Sequence, residues 1–204
     1  MISILDYGSG NIKAFANVYG RLNVPFRIVR TPEELVDAHK IVLPGVGAFD
    51  HTMALLESSG VRKVLAELVA GGNVPILGIC VGMQILARSS EEGRLPGLGW
   101  VDGVVRKFDT SPLKAGTRLP HMGWNDVRAL SNRGLFRGLG DGARFYFLHS
   151  YYFECDREEQ VIATAEYGRE FACAIRQGSV YGVQFHPEKS HRYGVQLLKN
   201  FAEL

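Results

Sequence analysis

The sequence predicts an α/β protein with a largely parallel central sheet, flanking helices and a smaller antiparallel or mixed portion. Short apolar, β-rich runs alternate with helical stretches in the first half of the chain, which is typical of a parallel sheet covered by helices. These runs are residues 2–5, 26–29, 41–43 and 74–79. From Trp100 onward, polar turns separate strand-like runs, which indicates antiparallel or mixed pairing. They are residues 101–108, 145–148, 161–165, 172–175 and 180–185.

Two helices are marked by apolar residues at three- and four-residue spacing, which places those residues on one face. The first carries Val61, Val64, Leu65 and Leu68. The second, at the end of the sequence, carries Val195, Leu198 and Phe201. A Gly71-Gly72 pair is expected to end the first helix, because glycine readily adopts the left-handed conformation found at helix C-termini.

Length and charge limit the kinds of protein to consider. With 204 residues, 46% hydrophobic and 22% charged, the chain can bury one substantial core, so we expect a single domain over residues 1–204. The net charge is +2, from 23 basic and 21 acidic residues. A charge this small gives no strong field to attract nucleic acid or an anionic membrane, so we expect small molecules and proteins as partners.

The location is predicted to be the cytoplasm. The sequence passes from Met1 directly into a strand-like run, without the basic and apolar segments of a signal peptide, and it contains no apolar run long enough for a membrane helix. Its three cysteines are an odd number with no close spacing, which argues against a disulfide framework and a zinc site. We therefore expect no metal and no cofactor.

Residues 74–86 resemble a buried strand that turns sharply into an apolar helix, with Cys80 at the turn. Gly78 and Gly82 flank Cys80 at two residues on each side, the spacing of a nucleophile elbow, in which a strained turn holds the reactive side chain above the sheet. At a helix start, unpaired N–H groups favour a thiolate, and the Val81 N–H would face the oxyanion formed by attack. A core cysteine in a glycine-rich turn is the alternative.

His186 and Glu188 follow another strand-like run near the end of the chain. In extended backbone, residues i and i+2 project to the same side, and Pro187 disfavours helix at His186, so Glu188 can reach the imidazole and select its tautomer. Alone, the pair would fit a surface turn with a weak ion pair. With Cys80 it supplies a nucleophile, a base and an orienting carboxylate, each at the end of a predicted strand, which predicts a catalytic triad.

The segments around Cys80 and His186 also carry a family resemblance. They read Gly-Ile-Cys-Val-Gly-Met-Gln at residues 78–84 and Gly-Val-Gln-Phe-His-Pro-Glu at residues 182–188. Both are similar to motifs of the class I (triad) glutamine amidotransferases. Further matches to one branch of that family lie at residues 5–11, 43–49, 119–125 and 147–151, so the resemblance covers essentially the whole chain. It implies a flavodoxin-like fold and hydrolysis of L-glutamine to glutamate and ammonia.

The resemblance assigns roles to the predicted triad. Cys80 would attack the side-chain amide of glutamine. His186 would protonate the departing ammonia and then activate the water that hydrolyses the glutamyl thioester, while Glu188 orients His186. Gln84 matches the position that holds bound substrate, although a solvated helix residue is the alternative interpretation.

Other residues match the family's oxyanion strand and substrate contacts. Gly45, Val46 and Gly47 correspond to the oxyanion strand, where glycines let one peptide present its N–H to the substrate and turn over. A tight turn after a strand is the alternative. Ser150 and Tyr151 match positions that contact the amino-acid part of glutamine, and a polar pair at the edge of a strand is the alternative.

The resemblance also implies a partner. The sequence offers no second substrate domain, so ammonia would pass to a separate (β/α)8-barrel cyclase subunit in a heterodimer, which forms imidazole glycerol phosphate in histidine biosynthesis. Asn11, Trp124, Tyr146 and Lys189 match positions that face this partner. They could instead be a helix cap, a core aromatic, a packed phenol and a solvated cation.

Three alternatives differ from this interpretation. Residues 11–19 resemble a paralogous branch, in which the ammonia serves amidation of a surface-polysaccharide sugar. A peptidase-like or deglycase-like hydrolase could share the elbow, but such proteins usually carry histidine directly after the cysteine, where Val81 stands here. A non-catalytic docking subunit would be marked by loss of a triad residue, and all three are present.

Overall fold

The computed structural model describes residues 1–109, 118–140 and 142–204. Its strands are β1 (Ile2–Leu5), β2 (Phe26–Val29), β3 (Ile41–Gly45), β4 (Ile76–Cys80), β5 (Gly103–Lys107), β6 (His121–Ala129), β7 (Ala143–His149), β8 (Tyr151–Cys155), β9 (Val161–Glu166), β10 (Glu170–Gln177) and β11 (Val180–Val183). Its α-helices are α1 (Ile12–Arg21), α2 (Pro32–Leu35), α3 (Phe49–Ser58), α4 (Arg62–Gly71), α5 (Val81–Gln84) and α6 (His191–Glu203). Short 3₁₀ turns lie at Gly134–Phe136, Glu158–Gln160 and Pro187–Lys189. Within the described ranges, no helix has the length and apolar character needed to cross a membrane.

The strands form one mixed sheet, ordered β2-β1-β3-β4-β11-β10-β9-β6-β7, with β8 pairing β10 and β5 pairing β8. The neighbours β2, β1, β3, β4 and β11 pair in parallel, and we call them the parallel half. Strands β5 to β10 pair antiparallel and form the antiparallel half. The predicted α/β fold with a mixed portion is confirmed.

The two halves bury different side chains. Strands β1, β3, β4 and β11 are buried along their whole length, because helices cover both faces of a parallel sheet, and their core is mainly aliphatic. The core of the antiparallel half is aromatic. It contains Phe145, Phe147, Phe153 and Phe171.

Several elements differ from the prediction. The helix after Cys80 is short, since α5 comprises four residues. Strands β6 and β8 were not predicted, because β6 contains Gly123 and few β-branched residues, and only Ser150 separates β8 from β7. The predicted end of α4 is confirmed, with Gly72 at φ +70°.

Candidate active site

Cys80 occupies a strained turn between β4 and α5, with φ 56° and ψ −112°. A positive φ at a residue other than glycine costs about 1–3 kcal/mol and needs support from the surrounding structure. A Cβ on Gly78 would lie 2.5 Å from the Gly82 carbonyl oxygen, and one on Gly82 would lie 2.0 Å from the Leu43 carbonyl oxygen. The predicted elbow is therefore present, and only glycine fits on either side of Cys80.

Parallel pairing brings the other polar segment beside Cys80. Strands β4 and β11 pair in register, with Ile79 opposite Val183. The chain then continues beyond β11, where the Gln184 N–H donates to the Cys173 carbonyl oxygen at 2.8 Å and the His186 N–H donates to that of Tyr146 at 2.8 Å. Residues far apart in sequence thus meet at the carboxyl ends of adjacent strands, where sites of α/β proteins form.

The three predicted triad residues lie together. His186 Nδ1 lies 2.9 Å from Glu188 Oε1, and the two side chains are 6% and 2% exposed. The extended backbone predicted for this pair is wrong beyond His186, because Pro187–Lys189 form a 3₁₀ turn, which brings Glu188 back toward the imidazole. Burial lowers the pKa of His186, but hydrogen bonds and charge interactions with Cys80 and Glu188 outweigh it and raise the pKa to about 10. A protonated imidazole beside the Cys80 sulfur stabilises negative charge on that sulfur.

The other two thiols have surroundings that suppress reactivity. Burial, with a smaller contribution from Asp156, raises the pKa of Cys155 to about 12. Cys173 is fully buried, which raises the pKa of its thiol further. Because the thiolate is the nucleophilic form, both residues are expected to be inert, and all three cysteines are unpaired.

A cavity of about 490 Å³ opens over Cys80. Its lining includes the predicted residues Val46, Gly47, Val81, Gln84, Ser150, Tyr151, His186 and Lys189. Gly45 instead packs behind the cavity, where a Cβ would lie 2.3 Å from the Gly82 nitrogen, so its role is close packing of β3 against α5. A larger cavity of about 720 Å³ lies between β6 and β9, and the described residues that line it include neither cysteine nor histidine.

The cavity has lining residues that were not predicted, among them Glu92, Pro120 and Leu148. Glu92 Oε2 accepts the Phe49 N–H at 2.9 Å, which fixes a carboxylate between the start of α3 and the cavity. Glu92 lies in a loop without periodicity or a flanking motif, so no local pattern could predict its position at the cavity. The described residues contain no group of three or more His, Cys, Asp or Glu side chains suited to holding a metal ion.

The segment that matches the oxyanion strand has its hydrogen bonds directed away from the cavity. The Val46 N–H donates to Ser9 Oγ at 3.0 Å, and the Val46 carbonyl oxygen accepts the Thr52 hydroxyl at 3.4 Å. Gly47 has a φ of +90°, which L side chains rarely adopt. The Val81 N–H is placed differently, because it occupies the first turn of α5, where the helix supplies no acceptor.

Gln84 is held by two acceptors. Its Nε2 donates to the Tyr151 carbonyl oxygen at 3.2 Å and to Gln184 Oε1 at 3.1 Å. Both N–H groups of the amide are used, so Gln84 can offer only its Oε1 acceptor to a molecule in the cavity.

A buried histidine pair supports the same wall. His149 Nδ1 lies 2.7 Å from the Tyr151 carbonyl oxygen, and His121 Nδ1 lies 2.9 Å from His149 Nε2. Burial lowers the pKa of His121 to about 4, and burial together with the neighbouring histidines lowers that of His149 to about 3. Both rings are therefore neutral, and their hydrogen bonds fix the cavity wall.

Three of the four predicted interface residues form one surface cluster. Lys189 Nζ lies 5.6 Å from the Tyr146 ring centroid. The Trp124 ring lies 6.3 Å from the Tyr146 ring and stacks on His191 at 5.2 Å. Asn11, the residue before α1, is exposed, and its side chain makes no capping hydrogen bond.

Comparison with known proteins places this site in a family. The family model of class-I glutamine amidotransferases matches residues 3–204. The imidazole glycerol phosphate synthase subunits HisH of Bdellovibrio bacteriovorus and Leptospira interrogans are 60% and 52% identical, each over 100% of both chains. PurLQS from Thermotoga maritima contains a chain with a TM-score of 0.71 at 18% identity, covering 99% of this chain and 97% of that one, which shows a shared fold. The chain therefore belongs to the class I glutamine amidotransferases, in the family of HisH subunits of imidazole glycerol phosphate synthase.

Proposed function

We propose that this chain hydrolyses L-glutamine to glutamate and ammonia, and passes the ammonia to a separate synthase subunit that forms imidazole glycerol phosphate in histidine biosynthesis. The observation that carries this proposal is the buried group of Cys80, His186 and Glu188, of which Cys80 and His186 line a cavity. The names of the two HisH relatives favour the histidine pathway over the amidation of a surface-polysaccharide sugar.

The chemistry follows from this arrangement. The Cys80 sulfur attacks the amide carbon of glutamine and forms an S–C bond, while the carbonyl oxygen becomes an oxyanion near the Val81 N–H. His186 gives its proton to the departing nitrogen, which leaves as ammonia as the C–N bond breaks. The neutral His186 then takes a proton from water, which attacks the thioester carbon. The S–C bond breaks, Cys80 leaves as the thiolate, and glutamate is released. Glu188 holds the imidazole in the required tautomer throughout.

The cavity lining suits the amino-acid part of glutamine. The α-ammonium of the substrate needs acceptors, and the Glu92 carboxylate and Gln84 Oε1 are acceptors at the cavity wall. Ser150 and Tyr151 also line the cavity, and their hydroxyl groups can donate hydrogen bonds to the α-carboxylate.

A docking surface for the synthase subunit lies beside the cavity. Cross-strand partners in β6 and β7 place four side chains on its face, Met122 opposite Leu148 and Trp124 opposite Tyr146. Met122 is 61% exposed and Trp124 40%. Large apolar side chains that stay exposed mark surfaces for protein partners, and Leu148 also lines the cavity over Cys80. We propose a (β/α)8-barrel cyclase subunit on this surface, as a heterodimer.

We also propose that the Val46 peptide acts as a gate, which keeps glutamine hydrolysis slow until the synthase subunit docks. Since Ser9 holds the Val46 N–H, this N–H does not reach the oxyanion, and loss of one oxyanion donor costs about 10²–10³ in rate. Docking near Asn11 and Lys189 would release the peptide.

Glutamine turnover is to be compared for the isolated chain, the chain with its synthase subunit, and the complex saturated with acceptor-site ligand. We expect turnover to rise at each step, and equal turnover in all three would refute the gate.

Ser9→Ala tests the same gate in the isolated chain. Removal of the hydroxyl frees the Val46 N–H, so basal turnover should rise by roughly tenfold or more, within the range of one oxyanion donor. Ser58→Ala is the matched control, because its hydroxyl caps a carbonyl of α3 far along the helix. A turnover rate of Ser9→Ala equal to that of the control would show that the Ser9 hydroxyl does not hold the chain in its slow state.

Two further expectations accompany this proposal. Residues 1–204 act as one amidotransferase domain, which the continuous sheet and the family match over residues 3–204 support. The protein works in the cytoplasm, which its three unpaired thiols support.

A further inference from the structure

Gln184 is a fully buried polar residue that the proposed mechanism does not use. It lies between the end of β11 and His186, and its side chain is 0% exposed. Its Nε2 lies 3.9 Å from the Cys80 sulfur, and its Oε1 accepts the Gln84 Nε2 at 3.1 Å. We propose that Gln184 is a second hydrogen-bond donor to the Cys80 sulfur, beside His186, and stabilises the negative charge on it. This inference rests on the proposed role of Cys80 as the nucleophile.

The direction of the Gln184 amide follows from a backbone carbonyl. The Tyr151 carbonyl oxygen can only accept, so the Gln84 atom that faces it must be Nε2. The second N–H of that nitrogen points at Gln184, which must therefore present its Oε1 there. The remaining Gln184 atom, the Nε2 donor, faces Cys80. A reversed Gln184 amide would place an oxygen against the sulfur and two donors against each other.

The anchoring carbonyl of Tyr151 is fixed from a second side. His149 Nδ1 donates to it at 2.7 Å, which leaves His149 Nε2 as the acceptor for His121 Nδ1. His121 Nε2 then accepts from Asn125 Nδ2 at 3.2 Å, and the same nitrogen donates to the Glu166 carbonyl oxygen. Each bond in this chain has only one possible direction, and the chain holds the Tyr151 carbonyl oxygen in the position from which it orients Gln84 and, through Gln84, Gln184.

The sulfur has two competing polar neighbours besides His186. The Leu148 carbonyl oxygen lies 3.8 Å from it and can accept an S–H, which favours the neutral thiol. The Gln184 N–H favours the anion, because a hydrogen bond to a charged acceptor is stronger than one to a neutral acceptor. Gln184 is shielded from water, so water cannot replace this donor if it is lost.

The test is the rate of alkylation of Cys80 by iodoacetamide in the full-length chain, followed on the Cys80 peptide by mass spectrometry from pH 5 to 9. Gln184→Glu keeps the shape and the acceptor for Gln84 but replaces the donor with an oxygen. Gln184→Met removes the donor without adding a charge. Loss of a hydrogen bond to a charged group should slow the alkylation of Cys80 by about tenfold or more at pH 7. The midpoint of the pH profile should rise in both variants, and most in Gln184→Glu.

Gln160→Glu is the matched control, since Gln160 is a buried glutamine whose amide contacts Gln177. It introduces the same buried carboxyl group away from Cys80 and should leave both the rate and the pH midpoint unchanged. Slower alkylation in this control, to the same extent, would assign the effect to the fold and overturn the inference.

The outcomes separate the inference from the proposed function. Unchanged alkylation rates and pH midpoints in both Gln184 variants would overturn the role of Gln184 and leave Cys80 as the nucleophile. A wild-type Cys80 that resists a glutamine-mimicking electrophile and supports no glutamine turnover with the synthase subunit would instead refute the proposed function. If Gln184→Glu does not fold, the Gln184→Met profile decides.

Discussion

The parallel and antiparallel halves of the sheet position the site by different means. In the parallel half, backbone contacts fix the nucleophile, since β3 and β4 pair with Gly45 opposite Cys80 and leave no room for a Cβ at Gly82. In the antiparallel half, contacts between side chains hold the cavity wall in place. His121, for example, stacks between Phe147 at 4.6 Å and Tyr167 at 4.0 Å. The position of Cys80 therefore depends on backbone geometry, whereas the cavity wall and the proposed docking surface depend on side chains that can be exchanged singly.

The largest expected effect comes from removing the nucleophile in the parallel half. Cys80→Ala should lower glutamine turnover by on the order of 10⁶-fold, as for the loss of a nucleophile in other triads, while circular dichroism stays unchanged. The measurement is ammonia release with the synthase subunit present. Retained turnover would eliminate the triad, and unfolding would instead support a core role for Cys80.

The same variant gives a second measurement on His186. Hydrogen-bond and charge interactions with Cys80 and Glu188 raise the pKa of His186 to about 10, so loss of the sulfur should lower that pKa. The imidazole then loses its proton at a lower pH than in the wild type. An NMR titration of His186 that gives the same pKa in both proteins would contradict this coupling.

The next effects separate the base from its orienting group. His186→Ala should reduce turnover by about 10²–10⁴-fold, the usual contribution of general acid–base catalysis. Glu188→Gln should reduce it less, because an amide can still accept the bond from His186 Nδ1 while the stabilising charge is lost. Steady-state kinetics of both variants decide this, and the reverse order would assign Glu188 a larger role than orientation.

A smaller effect, on stability, tests the backbone packing of the parallel half. Gly82→Ala would place a Cβ 2.0 Å from the Leu43 carbonyl oxygen, so it should destabilise the protein by about 3 kcal/mol. Gly71→Ala in α4 meets nothing within 4 Å and should change stability by less than about 1 kcal/mol. Urea unfolding measures both, and equal stabilities would show that the close approach is unimportant.

The smallest expected effect lies on the antiparallel half. Trp124→Ala should weaken binding of the synthase subunit by about 1–2 kcal/mol, or roughly tenfold in Kd, as for an exposed aromatic anchor. Alkylation of Cys80 in the isolated chain should not change. Leu130→Ala is the control, because Leu130 is 50% exposed but lies beyond the far end of β6. Titration calorimetry that gives equal Kd values for both variants would exclude Trp124 from the interface.

The sequence predicted the parallel half well and the antiparallel half only in part. Glycine spacing around Cys80 is a local signal, so the elbow could be anticipated. The His186–Glu188 contact was also anticipated, but from an extended backbone that only His186 adopts, since Glu188 lies in the 3₁₀ turn Pro187–Lys189. The antiparallel half depends on pairing between distant segments, and β6 has a mixed composition that does not identify it as a strand.

Some residues of the site had no usable local signal. Glu92 reaches the cavity through a hydrogen bond to Phe49, a residue far away in sequence. Gln184 stands within a recognisable motif, but its function is visible only when Gln84 and Cys80 are seen on both sides of its amide.

The strand order has a consequence for how such a protein changes its partner. Strands β5 to β10 all lie between β4 and β11 in the chain, and β4 and β11 are neighbours in the sheet. The antiparallel half is thus one continuous insertion, which leaves the parallel half after β4 and returns to it at β11. After gene duplication, changes in that insertion could create a surface for a different synthase. The distance in space between Cys80 and His186 would stay the same, because the pairing of β4 with β11 sets it.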